Sequence, residues 1–341
     1  MQALVLAGGE GTRLRPLTLT TPKPVMPLAG RPFLTFMLDW ARSHGVDEAI
    51  LSLGFMADAV HEVLGDIHGG MRLRYVREDA PLGTAGPVRL AADEGLLDDR
   101  FLVLNGDVLT DMDLTAELRQ HEATGAKATL ALTEVEDVSS YGVVPTNDDL
   151  EVEAFLEKSD RPAPTNRINA GAYVLERAVV ELIPPGCPVS FEREIFPKLV
   201  GDGLYGWHAD GYWIDIGTPD RYLEGTWDLL AGRVASTLPP RDETGSLIYG
   251  GSLTSGAHIG PQTVLGPHCS IGPDAAVERS VLHEGVIVGA DAVIRESIIG
   301  AHARIGEGAR MHRVVIGAGA HIEPGQVVEP GARIQPAGDL A

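Results

Sequence analysis

Apolar positions along the first two thirds of the chain alternate between two textures. Short, mostly apolar runs at Ala3–Ala7, Ala49–Leu53, Leu73–Val76, Phe101–Leu104 and Ala128–Leu132 predict strands. Between them, apolar residues recur at helical spacing over Phe33–His44, Ala57–Leu64, Thr84–Glu94 and Leu114–Thr124, with Gly45 and Gly125 as stop signals. Strands this short and apolar, separated by such helices, imply a mostly parallel sheet covered on both faces, an α/β domain of Rossmann-like character. Ligands of such sheets bind beyond the carboxyl ends of the strands. The residues that follow each apolar run therefore matter most.

The pattern divides the chain. Residues 1–232 carry the strand–helix alternation, 233–246 are polar with Pro239-Pro240 and read as a linker, and 247–341 repeat. In the repeat an apolar residue falls near every sixth position: Ile259, Leu265, Ile271 and Val277, then, after a five-residue step, Leu282, Val288 and Ile294, continuing to Ile334. Gly follows directly at 260, 266, 272, 289, 300, 306 and 317. A sustained six-residue period marks a parallel β-helix, three hexapeptides to a coil. Its six histidines (His258, His268, His283, His302, His312 and His321) read as exposed turn positions. An acyltransferase role for them would rest on fold analogy alone.

Composition narrows the function. A formal charge of −21 argues against a nucleic-acid backbone or an anionic membrane as partner, since both call for basic patches. Cys187 and Cys269 are too few for a disulfide framework or a structural zinc site. No apolar run approaches the ~18 residues of a membrane span, and the opening residues have no basic leader. We expect a soluble, cytoplasmic protein. Only four lysines occur (Lys23, Lys127, Lys158 and Lys198) among many arginines, so each invites inspection as a compact point charge.

After the first strand comes Gly8-Gly9-Glu10-Gly11-Thr12-Arg13-Leu14-Arg15-Pro16, continuing to Pro22-Lys23-Pro24. A glycine-rich turn brings backbone N–H groups close to phosphates. The dinucleotide pattern fails because Leu14 stands where a third Gly is required, and no Gly-Lys-Ser/Thr of a Walker loop follows. Asp107 and Asp215 each close a short apolar run, and two strand-end carboxylates suit a hard Mg²⁺ ion that completes its shell with phosphate and water. Thr218, Pro219 and Asp220 read as the start of a helix, which leaves Asp215 available. Zincin spacing and a serine nucleophile elbow are both missing from the sequence.

These residues resemble the signature of the sugar-1-phosphate nucleotidyltransferases, the NDP-sugar pyrophosphorylases. Asn105-Gly106-Asp107, Phe155-Leu156-Glu157-Lys158, Asn169-Ala170-Gly171 and Trp213-Ile214-Asp215-Ile216-Gly217-Thr218 continue the match in the family's order. The repeat resembles the left-handed β-helix that many members carry. The resemblance implies a nucleotide set of Leu6, Ala7, Gly8, Gly9, Gly11, Thr12, Arg13, Lys23, Pro81, Gly83, Thr84, Gly106 and Asp107. Within it, Lys23 would sit near the reacting α-phosphate, Arg13 would hold the departing phosphates, and Asp107 with Asp215 would hold Mg²⁺. Lys158 would bind the sugar phosphate, while Glu157, Gly142, Asn169 and Gly171 would meet the sugar ring. Ser159 departs from the family, where many members have Pro. Lys127 and Lys198 read as solvated surface residues.

Base choice rests on Leu82-Gly83-Thr84-Ala85-Gly86, whose small residues let the backbone approach a purine edge. This loop resembles that of guanylyltransferases acting on mannose 1-phosphate, and Gly86 stands where thymidylyltransferases typically carry Gln. The expected substrates are an NTP, GTP favoured over dTTP, and a sugar 1-phosphate, best mannose 1-phosphate. Glucose-1-phosphate thymidylyl transfer is the alternative. A non-catalytic sensor on the same fold would not need Asp107, Asp215 and Lys23 together. A homo-oligomer is also expected.

Overall fold

The computed structural model describes residues 1–139, 141–156, 164–254 and 256–338. The chain forms two compact units: Met1–Gly9 with Met37–Trp213, and Glu10–Phe36 with Ile214–Ala341.

In the first unit eight strands form one sheet, ordered Leu204–His208, Ala128–Glu134, Arg167–Glu176, Arg100–Asn105, Gln2–Leu6, Glu48–Leu53, Met71–Arg77 and Ile67–His68. The central pairings are parallel, with Ala3 opposite both Ala49 and Leu102. Arg167–Glu176 is inserted antiparallel between two strands, and its register shifts between Asn169 and Tyr173. That strand escaped the apolar pattern because the Asn-Ala-Gly step interrupts it. Leu4, Ile50, Val103, Tyr173, Phe191 and Phe196 are fully buried in one core, where the Phe191 and Phe196 rings stack at 4.9 Å.

The helix Leu114–Thr124 starts where Asp113 accepts from Thr115 N and Ala116 N, and ends at Gly125 with φ 63°. Its inward face carries two buried titratable groups. His121 bonds Thr129 Oγ1 at 2.9 Å and Glu176 Oε1 at 3.1 Å, and burial is the main reason its pKa is lowered. Burial also pushes the pKa of the Glu117 carboxyl well above the ordinary range. The expected helix from Thr84 begins instead at Gly86, because the Thr84 side chain is bonded elsewhere.

In the second unit, three parallel sheets stack as a β-helix, an arrangement consistent with left-handed winding. The strict hexad needs one correction. Val264, Val281, Ile298 and Val315 lie opposite one another, so a coil is 17 residues, two hexads and one five-residue side. At the shortened corner Arg279, Glu296 and Arg313 adopt positive φ, a position without glycine that a Gly-based pattern overlooks. Leu265, Leu282, Ile299 and Ile316 fill the interior. Residues 233–246 contain no helix or strand.

His283 corrects the exposed-turn reading, for it is buried. Its Nε2 lies 3.1 Å from the hydroxyl of Tyr222, which itself donates to Pro27 O. Tyr222 belongs to the helix Pro219–Ala231, capped by Thr218 with Pro219 at its first position. The same helix places Trp227 under the Arg279 guanidinium, 3.8 Å from ring centroid to Cζ, and Asp220 at 3.0 Å from Arg313. Tyr249 OH donates to Ala29 O at 2.7 Å. Helix, N-terminal segment and β-helix are thereby fastened into one body. Among the described residues no helix is long and apolar enough to cross a membrane.

Burial lowers the His283 pKa to about 4 from 6.5. Between those values the unfolded chain binds the proton and the folded chain does not, so this contribution is complete above about pH 6.5 and is lost as pH falls toward about 4. Thermal melts across that window should show a smaller loss of Tm for His283→Gln than for the parent. Identical slopes would contradict the assignment.

Candidate active site

Within the first unit, Leu6 ends the central strand and Ala7, Gly8 and Gly9 follow at its carboxyl end. Ala7 N donates to Ser52 O. The Glu78 carboxylate receives Ser52 Oγ at 2.8 Å and Leu82 N at 3.0 Å, which fixes the start of the loop carrying Gly83 and Thr84. A Cβ on Gly8 would stand 2.5 Å from Glu78 Oε1, so a larger residue there would have to push that carboxylate aside. Pro81 is exposed in the same loop. At Gly83 φ is +75°, and a Cβ would reach 2.4 Å from Val189 O.

Gly106 N donates to Leu6 O at 2.8 Å, which lays Asn105-Gly106-Asp107 against the end of the central strand. Asp107 is half-buried there. Asn169 Nδ2 donates to Tyr173 OH at 2.8 Å and its Oδ1 accepts from Gly171 N at 3.0 Å. Trp213 Nε1 donates to Ala170 O at 2.8 Å, holding the same step. Gly142 and Asn169 line a cavity of about 840 Å³ together with Thr84, Tyr141, Phe155, Leu156 and Glu192. Glu157 and Lys158 lie outside the described residues.

Sequence reasoning missed Glu192. Its Oε2 accepts from Thr84 Oγ1 at 2.8 Å and Ser190 Oγ at 2.7 Å, and its Oε1 from Tyr173 OH at 3.3 Å. One carboxylate thus ties the 83–86 loop to the Asn169–Tyr173 strand across the cavity wall. The available signal was weak, one of two acids between Phe191 and Phe196.

The second unit carries the remaining candidates. Gly11 adopts φ 62° and opens the turn Thr12–Leu14. Its carbonyl accepts from Leu14 N at 2.9 Å and from Thr18 Oγ1 at 2.9 Å. Lys23 is buried at the start of the turn Lys23–Val25. Arg13 Nη2 stands 3.9 Å from Asp215 Oδ2, and a Cβ on Gly217 would fall 2.3 Å from that guanidinium, so bare backbone makes the room Arg13 occupies. Glu10 pairs with Arg15 at 2.9 Å. Lys127, set aside as a surface residue, pairs with Asp202.

The chemistry of this set is that of phosphate handling: glycine-rich backbone, fixed cations and hard carboxylate oxygens. A family model described as nucleotidyl transferase matches residues 2–232, and one described as the GMPPB C-terminal domain matches 250–339. The chain belongs to the nucleotidyl transferase family. It is 42% identical over 280 residues to a mannose-1-phosphate guanylyltransferase of Mycobacterium tuberculosis, covering 77% of each chain. It is 37% identical over 260 residues to the mannose-1-phosphate guanyltransferase of Saccharomyces cerevisiae, covering 74% of this chain and 71% of that one. Among solved structures it resembles HddC from Yersinia pseudotuberculosis complexed with GMP-PN, at TM-score 0.57 and 30% identity, over 66% of this chain and 97% of that one.

Replacing Glu192 by Ala would leave three hydroxyls without their shared acceptor. We expect kcat/KM to fall about tenfold, as for the loss of one or two charge-assisted hydrogen bonds, with far-UV circular dichroism unchanged. Steady-state kinetics with activity at the parent level would contradict a role for this carboxylate in shaping the cavity.

Proposed function

We propose that the protein transfers GMP from GTP to mannose 1-phosphate, giving GDP-mannose and pyrophosphate. The observation that carries this reading is the Gly8–Leu14 loop with Lys23, joined to the similarity with mannose-1-phosphate guanylyltransferases over most of the chain. Residues 1–232 are assigned the chemistry, 233–246 the connection and 247–341 the β-helix. We read the protein as a cytoplasmic homo-oligomer.

An oxygen of the sugar phosphate attacks the α-phosphorus in line. The new P–O bond forms as the bond to the bridging oxygen of pyrophosphate breaks. The nucleophile is already an anion, so no strong general base is required, and catalysis reduces to orientation and charge neutralisation. Leu6 to Gly9, Gly11 and Thr12 would line the phosphates with backbone. Arg13 would draw off negative charge from the departing phosphates, and Lys23 from the α-phosphate. Pro81, Gly83 and Thr84 would face the base, and Gly106 would keep the backbone close beside Asp107. Gly142, Glu157, Asn169 and Gly171 would orient the sugar, and Lys158 its phosphate.

Enzymes of this family use a divalent metal ion, and we assign Mg²⁺ held by Asp107 and Asp215. The donor chemistry suits that ion, since Mg²⁺ accepts one or two carboxylates and takes its other ligands from phosphate and water. When bound, the ion would neutralise charge on the α-phosphate and the sugar phosphate.

Pyrophosphate release measured for GTP, dTTP and ATP against mannose 1-phosphate and glucose 1-phosphate tests the reading. GTP should give the highest kcat/KM. A higher value for dTTP or ATP with either sugar would overturn the base assignment. Smaller discrimination is expected between the sugars, which differ at one hydroxyl. Asp107→Asn and Asp215→Asn should each lower kcat by at least about a hundredfold while leaving Tm near the parent value. Near-parental turnover at low Mg²⁺ in either variant would contradict the metal assignment.

A further inference from the structure

The terminal coil of the β-helix differs from the others at one position. Leu247, Val264, Val281, Ile298 and Val315 form a column of aligned apolar residues, one per coil. In the last coil Val315 lies opposite Arg333, and the step between them is 18 residues rather than 17. An arginine thus stands where every earlier coil in the column has Val, Leu or Ile. Its Nη1 donates to Arg13 O at 2.7 Å and to Arg15 O at 2.9 Å. Those carbonyls flank buried Leu14 in the glycine-rich loop, 318 and 320 residues away in sequence, and all three residues belong to the same compact unit.

We propose that Arg333 is a positioning residue for the phosphate-binding loop, built into the last coil of the β-helix. Intraloop bonds from Leu14 N to Gly11 O and from Arg15 N to Thr12 O shape the turn internally but leave its far edge to be anchored. One guanidinium bridging two carbonyls supplies that anchor, because Nη1 carries two N–H donors held in the plane of the group. Pinning Arg13 O fixes the Cα from which the Arg13 side chain departs, so the charge expected on the departing phosphates is aimed before GTP arrives. The inference rests on the nucleotidyl-transfer reading. It also gives the β-helix a part in that chemistry.

The test uses the full chain. Arg333→Ala should raise the KM for GTP about tenfold and weaken binding of a fluorescent GTP analogue in parallel, with the KM for mannose 1-phosphate and the Tm unchanged. Arg333→Lys, which keeps a donor, should recover part of the loss. Arg310→Ala, on another exposed strand of the same β-helix, should match the parent. An unchanged KM for GTP in Arg333→Ala would overturn the proposal. So would equal rises in both KM values together with a lowered Tm, which would mark a purely structural role. If the parent itself releases no pyrophosphate from GTP and mannose 1-phosphate, the functional reading fails, and the GTP-analogue titration still decides the role of Arg333.

Discussion

Binding two phosphorylated substrates to a chain of net charge −21 is the constraint around which the rest of this molecule is arranged. The long-range field of such a protein opposes its own substrates, so attraction has to be short-ranged and fixed in place. In the proposed reading, backbone amides at glycine-rich turns, a few cations and a metal ion supply it. Lys23 is accordingly buried at its turn rather than left in solvent, while Arg13 stands beside Asp215 with most of its side chain exposed. A mobile lysine or arginine would lose rotamer freedom on each binding event, which a preset one has already given up.

Fixing these groups accounts for the composition of the second unit. The segment Glu10–Phe36 has few regular elements of its own, only short turns and a two-stranded ribbon. Its rigidity comes from contacts with sequence-distant partners, Tyr222 to Pro27, Tyr249 to Ala29 and Arg333 to the loop carbonyls. The β-helix is well suited to this task, since each coil is hydrogen-bonded to the next along its length and deforms little. Its interior needs only small and branched apolar side chains. Its outer positions are free to carry Arg279, His283 and Arg313 against the helix Pro219–Ala231, and Arg333 against the loop carbonyls.

Much of the fold was legible because burial on both faces leaves a plain record. The strands Gln2–Leu6, Glu48–Leu53 and Arg100–Asn105 are mostly apolar, and the repeat announces itself by period. The strand Arg167–Glu176 was hidden because Asn169 and Gly171, which shape the cavity wall, break its pattern. Coil length was misjudged for a related reason: the shortened corner uses Arg279, Glu296 and Arg313 at positive φ, where a reader looks for glycine. The glycine loop, Lys23 and the two aspartates proposed for the site could be picked out because such residue types stand out in so acidic a chain. Glu192, His283 and Arg333 could not, since their roles come from partners as many as 320 residues away. Only register brings those partners together.

The central claim is a single in-line displacement at the α-phosphorus, with no protein nucleophile and with rate supplied by orientation and charge. The most direct measurement is the stereochemical course of the reaction, using one diastereomer of GTP carrying sulfur on the α-phosphorus and mannose 1-phosphate as acceptor. The account predicts inversion at phosphorus in the sulfur-substituted GDP-mannose. Retention would require two successive displacements through a nucleotide bound covalently to the protein, and would contradict it.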